Sequence, residues 1–239
     1  MAKLTKAAAR SSGALACVLG LACSAGRLAA ADGLPPDFVR LADVAPTVVQ
    51  DIRYATANNF TGRPVPGYDA PQCWLRAEAA AALALAAQDL AGKGWQLVVY
   101  DCYRPQRAVG AFVAWAKDPG EQSRKADFYP VIDKRQLFAL GYIARVSGHS
   151  TGFSADAGAL EISSGKPVDF GTAFDLFDPR SATASRAVGS KAQASRRALV
   201  AAFAKHGFAN YAGEWWHFSF SAGSGAAGLD VPVMAGSGR

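Results

Sequence analysis

The sequence predicts a single α+β domain in which a mainly antiparallel sheet packs against helices. Helix-like and strand-like segments are interleaved without the regular βαβ rhythm of a doubly wound fold. The two segments that carry the candidate site residues, 146–160 and 214–220, both have strand character, so we expect them to be neighbours in the sheet. About 208 of the 239 residues remain once a predicted leader is removed, which suits one compact domain with a substantial core.

Residues 1–31 have the layout of a secretory signal peptide. Three basic residues fall within the first ten, and the apolar stretch 13–23 that follows is too short to span a membrane. Three alanines at 29–31 offer a cleavage site. We therefore expect an exported protein, most simply a periplasmic one. A lipoprotein signal ending at Cys23 matches the usual Leu-led pattern poorly, and a basic tail without structure is the plain alternative.

The formal net charge of +6 comes largely from this leader. Removing it takes away four basic residues and no acids, which leaves +2. The mature part has no Lys/Arg-rich stripe, so we expect no nucleic-acid partner, and no later segment has the pattern of a membrane span. Cys73 and Cys102 remain as an even pair in an oxidising compartment, either as one disulfide or as two buried thiols.

Each element of the first half follows from a local pattern. Residues 43–54 are rich in Val and Ile, which predicts a strand, and the Pro- and Gly-rich residues 58–72 predict an ordered loop. Residues 77–91 are almost entirely Ala and Leu and precede two glycines, which is typical of a buried helix with a glycine end. The β-branched and aromatic run 95–100 predicts a strand.

Three further helices are predicted after this strand. Pro105 suits the start of a helix that continues to Lys117. Residues 133–142 have the pattern of a short helix. Residues 182–205 have the pattern of a longer one, which Gly207 would end.

The remaining segments supply the strands of the site and the end of the chain. Repeated glycines argue for strands and a turn over 146–160, and alternating aromatics predict a strand over 215–220. The Gly-, Ala- and Ser-rich residues 226–239 predict a loose tail. The functional domain would therefore cover 32–225.

Two short segments hold two of the three histidines, each near a carboxylate. They are Ser147-Gly148-His149, with Asp156 seven residues on, and Glu214-Trp215-Trp216-His217. Two imidazoles and one aspartate suit a catalytic Zn²⁺ site, in which three side chains hold the metal and a fourth position stays open. The same set would also hold Fe²⁺ for oxygen chemistry. Glu214 favours zinc hydrolysis, because such an enzyme needs a base to activate water.

The spacing places conditions on the local structure. Glycines near His149 argue against a helix, so we expect a strand, a turn and a returning strand that brings Asp156 back beside it. His217 must then come from a separate strand. Residues three apart in a strand point to opposite faces, so Glu214 and His217 can share a site only if a bulge or turn lies near 215–216.

Several of these residues also have a structural interpretation that involves no function. A single histidine is more often a core or surface imidazole than a ligand, and His206, at a predicted helix end, is assigned to that class. Trp215 and Trp216 are more typical of a core than of a substrate platform. Arg104 lies between a strand and a helix, where it would stabilise an oxyanion or form a structural salt bridge with Asp101.

Together these motifs resemble the zinc D-alanyl-D-alanine dipeptidases, the family associated with vancomycin resistance and dipeptide salvage. The resemblance covers about residues 51–220 and is specific because it rests on separate motifs. The matching segments are Asp51-Ile52-Arg53-Tyr54-Ala55-Thr56, Asn59-Phe60-Thr61-Gly62, Asp101-Cys102-Tyr103-Arg104-Pro105, Ser147 to Asp156, Gly171-Thr172-Ala173-Phe174-Asp175 and Glu214-Trp215-Trp216-His217.

The resemblance implies a role for each matching side chain. The ligands of one Zn²⁺ per chain would be His149, Asp156 and His217. Glu214 would be the general base and acid, and Arg104 would stabilise the tetrahedral intermediate. The residues that contact the substrate would be Tyr54 and Asp175, at its free amino group, and Ser147.

The implied activity is hydrolysis of the small dipeptide D-Ala-D-Ala to two D-alanines. One alternative is a D,D- or L,D-carboxypeptidase that acts on peptidoglycan stem peptides. Another is a non-catalytic, zinc-containing wall-binding module, against which Glu214 and Arg104 argue because a structural zinc needs neither. The sequence carries no signal for the oligomeric state.

Three departures from the family pattern concern the surroundings of the site. Cys102 replaces the usual glycine, which would reflect a bridge to Cys73 in an exported protein. Ser154 replaces alanine, and its hydroxyl needs a partner if it is buried. Residues 157–159 are less like the family's usual apolar strand, which puts the pocket wall there in question.

Overall fold

In a computed structural model, the protein is described over residues 1–2 and 33–236, so the predicted signal peptide lies outside the described residues apart from its first two. The predicted α+β fold is confirmed. In chain order the strands are β1 (Phe38–Arg40), β2 (Val49–Gln50), β3 (Trp74–Arg76), β4 (Trp95–Asp101), β5 (Ser154–Glu161), β6 (Phe208–Asn210) and β7 (His217–Phe220). The α-helices are α1 (Leu41–Val44), α2 (Ala77–Ala91), α3 (Gln106–Lys117), α4 (Lys125–Phe128) and α5 (Ser190–Ala204).

The main sheet has five strands in the order β2-β4-β5-β7-β6, and β1 pairs with β3 in a second sheet of two strands. β2 runs parallel to β4, whereas the other neighbours in the main sheet are antiparallel, as predicted. The two segments that carry the site are neighbours, because β5 pairs with β7 and Asp156 lies opposite His217. On the other side of β5, Asp156 lies opposite Asp101 of β4. One end of three central strands therefore collects polar residues.

The helices bury apolar faces around this sheet. α2 packs against β4 and α5, and its buried face consists of Ala and Leu, whose compact side chains allow a close approach. α3 buries Phe112, whose ring centroid lies 4.8 Å from that of Tyr54. None of the helices in the described residues has the length and apolar character that a membrane crossing requires.

The predicted strand over 43–54 is wrong. Leu41–Val44 is a helical turn, Val49–Gln50 is a two-residue strand, and Arg53–Ala55 is a 3-10 turn. Pro46 interrupts the Val-rich run, because proline has a fixed φ and no N–H to donate to a strand ladder.

Two predicted helices are shorter than their sequence patterns. Within 133–142 the structure has a 3-10 turn at Lys134–Gln136 in place of an α-helix. α5 begins after Gly189 and not at residue 182. The carbonyl of Ala182 accepts a hydrogen bond from Arg196 of α5 over 2.7 Å, so the residues before α5 lie across the helix and do not extend it.

The tail differs from the prediction as well. Over its described part, 226–236, it packs against the body of the protein. Val233 is fully buried, and the N–H of Val231 donates to Tyr103 Oη over 2.9 Å. Trp74 Nε1 donates to the carbonyl of residue 234 over 3.0 Å. Composition could not reveal this, because scattered apolar residues in a short Ala- and Gly-containing segment show neither helix nor strand periodicity.

Cys73 and Cys102 form a disulfide, with their sulfur atoms 1.98 Å apart. The bond joins the residue before β3 to the residue after β4. It therefore links the small sheet to the end of the main sheet at which Asp101 lies.

We expect reduction of this disulfide to lower the free energy of unfolding by about 3–4 kcal/mol, because the bond restricts a loop with a sequence separation of 29 in the unfolded chain. Denaturant unfolding of metal-free protein, with and without a phosphine reductant, measures the effect. The Cys73→Ala/Cys102→Ala variant is the matched control, since its midpoint should not respond to the reductant. An unchanged midpoint in fully reduced parent protein would contradict the prediction.

Candidate metal centre and active site

His149 lies on the 3-10 turn Gly148–Thr151, shortly before β5. Ser147 caps this turn, with its Oγ accepting a hydrogen bond from the N–H of His149 over 3.3 Å. Gly152 ends the turn at a φ of 82°, where an L side chain would be strained. The strand predicted for His149 is therefore wrong, whereas the predicted turn and the strand that brings Asp156 back beside it are present.

His149, Asp156 and His217 converge at the end of β5 where it pairs with β7. His149 Nε2 lies 3.1 Å from His217 Nδ1 and 3.2 Å from Asp156 Oδ1, and the last two atoms are 3.0 Å apart. Donor atoms bound to one tetrahedral Zn²⁺ at about 2.0–2.2 Å would be separated by about 3.3–3.6 Å, which is close to this triangle. All three residues line a common cleft. The donor set therefore fits a divalent metal ion with an open coordination position.

The remote nitrogen of each imidazole has its own partner. His149 Nδ1 lies 2.7 Å from the carbonyl oxygen of Cys102, to which it can only donate. His217 Nε2 lies 3.2 Å from Ser219 Oγ. With protons on these two atoms, the lone pairs of the other two nitrogens face the centre of the cluster. The carbonyl that orients His149 belongs to a disulfide-bonded residue, so the covalent bond also restrains the site.

Burial and the charges within the cluster shift the pKa values of its three members. Burial alone would raise the pKa of Asp156, but the neighbouring His149 and hydrogen bonds with both imidazoles lower it below its ordinary value. Burial lowers the pKa of His217, which favours the neutral imidazole. Burial would lower the pKa of His149 as well, but the charge of Asp156 raises it above its ordinary value. Ionised carboxylate and neutral imidazole are the forms that coordinate metal ions.

Glu214 lies in the turn that precedes β7. Its N–H donates to the carbonyl of Tyr211 over 3.0 Å, and the N–H of Trp215 donates to the carbonyl of Ser181 over 3.0 Å. This turn lets Glu214 and His217 line the same cleft, as their spacing required. Burial raises the pKa of Glu214 well above its ordinary value, and nearby carboxylates add to the shift. A carboxylate whose pKa is raised is a stronger proton acceptor than an ordinary one, which is the property that a general base needs.

Arg104 forms the structural salt bridge that its sequence position allowed, and it also lines the cleft. Its Nε and Nη2 lie 2.9 and 2.8 Å from Asp101 Oδ2, which is a buried salt bridge. Its guanidinium also lies 5.1 Å from the ring centroids of both Tyr54 and Phe112, and it lines the cleft. Burial would lower the pKa of Arg104, but Asp101 and other nearby groups raise it well above its ordinary value. The guanidinium is therefore a permanent cation with a restricted orientation.

Tyr54 and Asp175 form a buried pair on the wall of the cleft. Tyr54 Oη donates to Asp175 Oδ2 over 2.7 Å. Asp175 has a φ of 60°, an uncommon backbone conformation for a residue other than glycine. Burial and then the charge of Asp156 raise the pKa of Asp175 to about 7. A cation beside Asp175 would stabilise its ionised form, so the pair is suited to hold an ammonium group.

The cleft has a volume of about 330 Å³ and an excess of acidic groups. Asp156, Asp175 and Glu214 line it, and Asp101 lies behind Arg104. With the imidazoles counted as neutral and the four carboxyl groups as ionised, these acids and the guanidinium of Arg104 carry a formal charge of −3 (four negative charges and one positive). One divalent metal ion and one ammonium group would balance the formal charge.

Arg196 is a buried residue outside the lining of the cleft that supports the site, and no sequence pattern revealed it. It lies on α5 and is fully buried. Its guanidinium donates to the carbonyls of residues 170, 180 and 182 over 2.8, 2.9 and 2.7 Å, which bracket the segment that carries Asp175. It also lies 3.4 Å from Thr172 Oγ1, which accepts a hydrogen bond from Trp215 Nε1 over 2.8 Å. Arg196 therefore links the segment that carries Asp175 to Trp215, the residue that follows Glu214.

Two imidazoles and a carboxylate in one cleft with a separate glutamate and an arginine define a hydrolytic site of the metallopeptidase class. The family model of D-ala-D-ala dipeptidases, peptidase family M15, matches residues 36–230. The chain belongs to this family, which confirms the resemblance of its motifs and makes it a peptidase.

Three relatives, each a D-alanyl-D-alanine dipeptidase, show how far the similarity extends. The protein from Streptomyces coelicolor is 38% identical over 183 residues, which cover 77% of this chain and 91% of the relative. The protein from Enterococcus faecium is 36% identical over 181 residues, with 76% and 90% covered. The protein from Escherichia coli is 32% identical over 182 residues, with 76% and 83% covered.

Proposed function

We propose that this protein is a zinc-dependent dipeptidase that hydrolyses D-alanyl-D-alanine to two molecules of D-alanine. Membership of the family and the activity named for its relatives support a dipeptide substrate. The observation that carries the proposal is the acidic cleft, whose charge one divalent metal ion and the ammonium group of an unblocked dipeptide would balance. His149, Asp156 and His217 would hold one Zn²⁺ per chain.

When bound there, Zn²⁺ would polarise the scissile carbonyl and lower the pKa of water. Glu214, which the metal does not need as a ligand, accepts a proton at a carboxylate oxygen from the attacking water. The water oxygen forms a bond to the carbonyl carbon. Glu214 then gives the proton to the leaving nitrogen as the C–N bond breaks, which returns the carboxylate to its starting state.

Arg104 stabilises the negative charge that develops on the former carbonyl oxygen. Asp101 and two aromatic rings hold the guanidinium in place before substrate arrives, so little reorganisation is needed during the reaction. A guanidinium has five N–H donors, and the contact with Asp101 leaves donors for the oxyanion.

Tyr54 and Asp175 would bind the free amino group of the substrate, with Ser147 at another side of the cleft. An N-acylated peptide brings no positive charge to this position. It would leave an ionised Asp175 without a cation and place extra bulk against a packed aromatic wall. Both effects favour an unblocked dipeptide over a longer peptide.

The test is a comparison of initial rates on D-Ala-D-Ala, on its N-acetyl derivative and on an N-acylated tripeptide that ends in D-Ala-D-Ala. We expect turnover of the free dipeptide that a chelator abolishes and added Zn²⁺ restores, with little turnover of either blocked substrate. Preferential cleavage of the tripeptide would instead show a carboxypeptidase. Zinc bound in equal amount to protein without turnover of any substrate would show a non-catalytic module.

Export, inferred from residues 1–31, is part of the proposal. The disulfide between Cys73 and Cys102 supports it, because such bonds persist mainly in oxidising compartments. Cell fractionation of the full chain tests this, and recovery of unprocessed protein in the cytoplasm would contradict it.

A further inference from the structure

Buried Ser154 and half-buried Ser219 form a polar pair beside the candidate metal centre. They lie directly opposite each other on β5 and β7, and their hydroxyl oxygens are 2.9 Å apart. Ser219 Oγ also lies 3.2 Å from Nε2 of His217. The three side chains therefore form a continuous hydrogen-bonded series that ends on the imidazole.

A role of His217 as a ligand, together with the burial of Ser154, favours one arrangement of the protons in this series. Its Nδ1 faces His149 and Asp156, so Nδ1 must supply a lone pair and Nε2 must carry the proton. His217 Nε2–H then donates to Ser219 Oγ. Ser154 is almost fully buried and has Ser219 as its side-chain partner, so its hydroxyl proton also goes to Ser219 Oγ. Half-buried Ser219 can direct its own proton elsewhere.

We propose that Ser219 and Ser154 are positioning residues for the metal ligand His217, in which Ser219 fixes the Nε2–H tautomer and the ring orientation and Ser154 fixes the rotamer of Ser219. This inference rests on the proposed metal role of His217. With both acceptor positions of Ser219 Oγ filled by donors, its side chain has one favoured rotamer. The imidazole is then held in the tautomer that presents Nδ1 to the centre.

Two local features support a specific role for this hydrogen-bonded series. Gly148 makes room for the hydroxyl of Ser154, because a Cβ at that position would lie 2.8 Å from Ser154 Oγ. Ser154 stands where the motif that the sequence resembles has alanine, which has no hydroxyl. An alanine at 154 would leave Ser219 without the donor that fixes its rotamer. The series is therefore a feature of this chain and does not follow from the motif.

The experiment measures Zn²⁺ affinity of the full-length mature protein by competition with a chromophoric chelator. We expect Ser219→Ala to weaken binding by about 10–100-fold, which is the usual loss when the outer partner of a metal-bound histidine is removed. Ser154→Ala should cause a smaller loss, and the double variant should bind no more weakly than Ser219→Ala alone. Ser219→Thr keeps the hydroxyl and should restore affinity to near that of the parent.

Ser195→Ala is the matched control, since Ser195 is also a buried serine but lies on α5, where its hydroxyl donates to the carbonyl of Lys191. It should bind Zn²⁺ like the parent. Thermal unfolding of each metal-free variant separates loss of affinity from loss of fold. Nitrogen-15 spectra of the zinc-loaded parent should show the Nε2–H tautomer at His217.

Parent-like affinity in both Ser219→Ala and the double variant would overturn the inference and leave the proposed function intact. An Nδ1–H tautomer at His217 in the loaded parent would overturn it as well. A parent that binds no Zn²⁺ would overturn the proposed function and the inference together. In a further outcome, the parent binds Zn²⁺ and the serine variants lose affinity as expected, while the parent does not hydrolyse the dipeptide. That result would overturn the proposed function alone.

Discussion

Glu214→Gln should lower kcat on D-Ala-D-Ala by about 10²–10⁴-fold, the usual contribution of a general acid–base residue. Glutamine keeps the size of the side chain but cannot take a proton from water or return it to the leaving nitrogen. Because Glu214 lies outside the triangle of donor atoms, the Zn²⁺ affinity of the variant should stay close to that of the parent. The measurement is a steady-state kinetic comparison at saturating Zn²⁺, with metal content determined in the same samples.

Glu78→Gln is the matched control, since Glu78 lies exposed in the first turn of α2. Its kcat should equal that of the parent. A Glu214→Gln protein that hydrolyses the dipeptide at the parent rate would refute the assignment of the general base. Equal losses of activity and metal content would show instead that Glu214 helps to hold the metal.

His149→Ala should abolish metal-dependent hydrolysis and weaken Zn²⁺ binding by more than the roughly 10–100-fold that loss of an outer partner costs, because one of three donors is removed. The parent should also unfold at a higher temperature with Zn²⁺ than without it, since a ligand that binds the folded state stabilises it. That shift should disappear in the variant. Differential scanning calorimetry with and without Zn²⁺ measures it.

His206→Ala is a close control, because His206 is the one histidine of the chain that is not a candidate ligand. Its Nε2 lies 2.8 Å from Asp89 Oδ2, and it does not line the cleft. It should keep both activity and the Zn²⁺-dependent shift. Removal of His149 leaves the buried carbonyl of Cys102 without its donor, which costs about 1–3 kcal/mol. If the variant does not fold, Asp156→Asn provides the second test. A parent-like Zn²⁺ shift in either variant would refute the metal site.

The sequence predicted the residues of the site better than the secondary structure on which they lie. Both candidate segments contribute strands that are neighbours in the sheet, and the turn required by the spacing of Glu214 and His217 is present. His149 was expected on a strand and lies on a 3-10 turn, because Gly152 adopts a left-handed conformation that ends the turn. Short glycine-rich segments suit a strand or a turn equally well, so the local pattern could not separate the two.

The errors in the fold have two origins, one local and one tertiary. A Val-rich run was expected to form one strand, but Pro46 divides it. The helical pattern from 182 gave no sign that Arg196 would capture the carbonyls before the helix. The tail had the composition of a loose end, yet Val233 enters the core. In the last two cases the local sequence could not predict the structure. The residue that makes the contact is distant in the chain, or its side chain points where the local pattern does not predict.

By itself, the sequence determined which chemical groups are available: two imidazoles, an aspartate, a glutamate and an arginine in motifs typical of one family. These follow from residue type and short-range spacing, which a chain displays without folding. Only the tertiary structure decided that the three donor atoms meet within 3.2 Å, that Arg196 supports the segment of Asp175, and that Ser154 reaches His217 through Ser219. Such contacts join strands and turns far apart along the chain, so they exist only once the sheet has set its register.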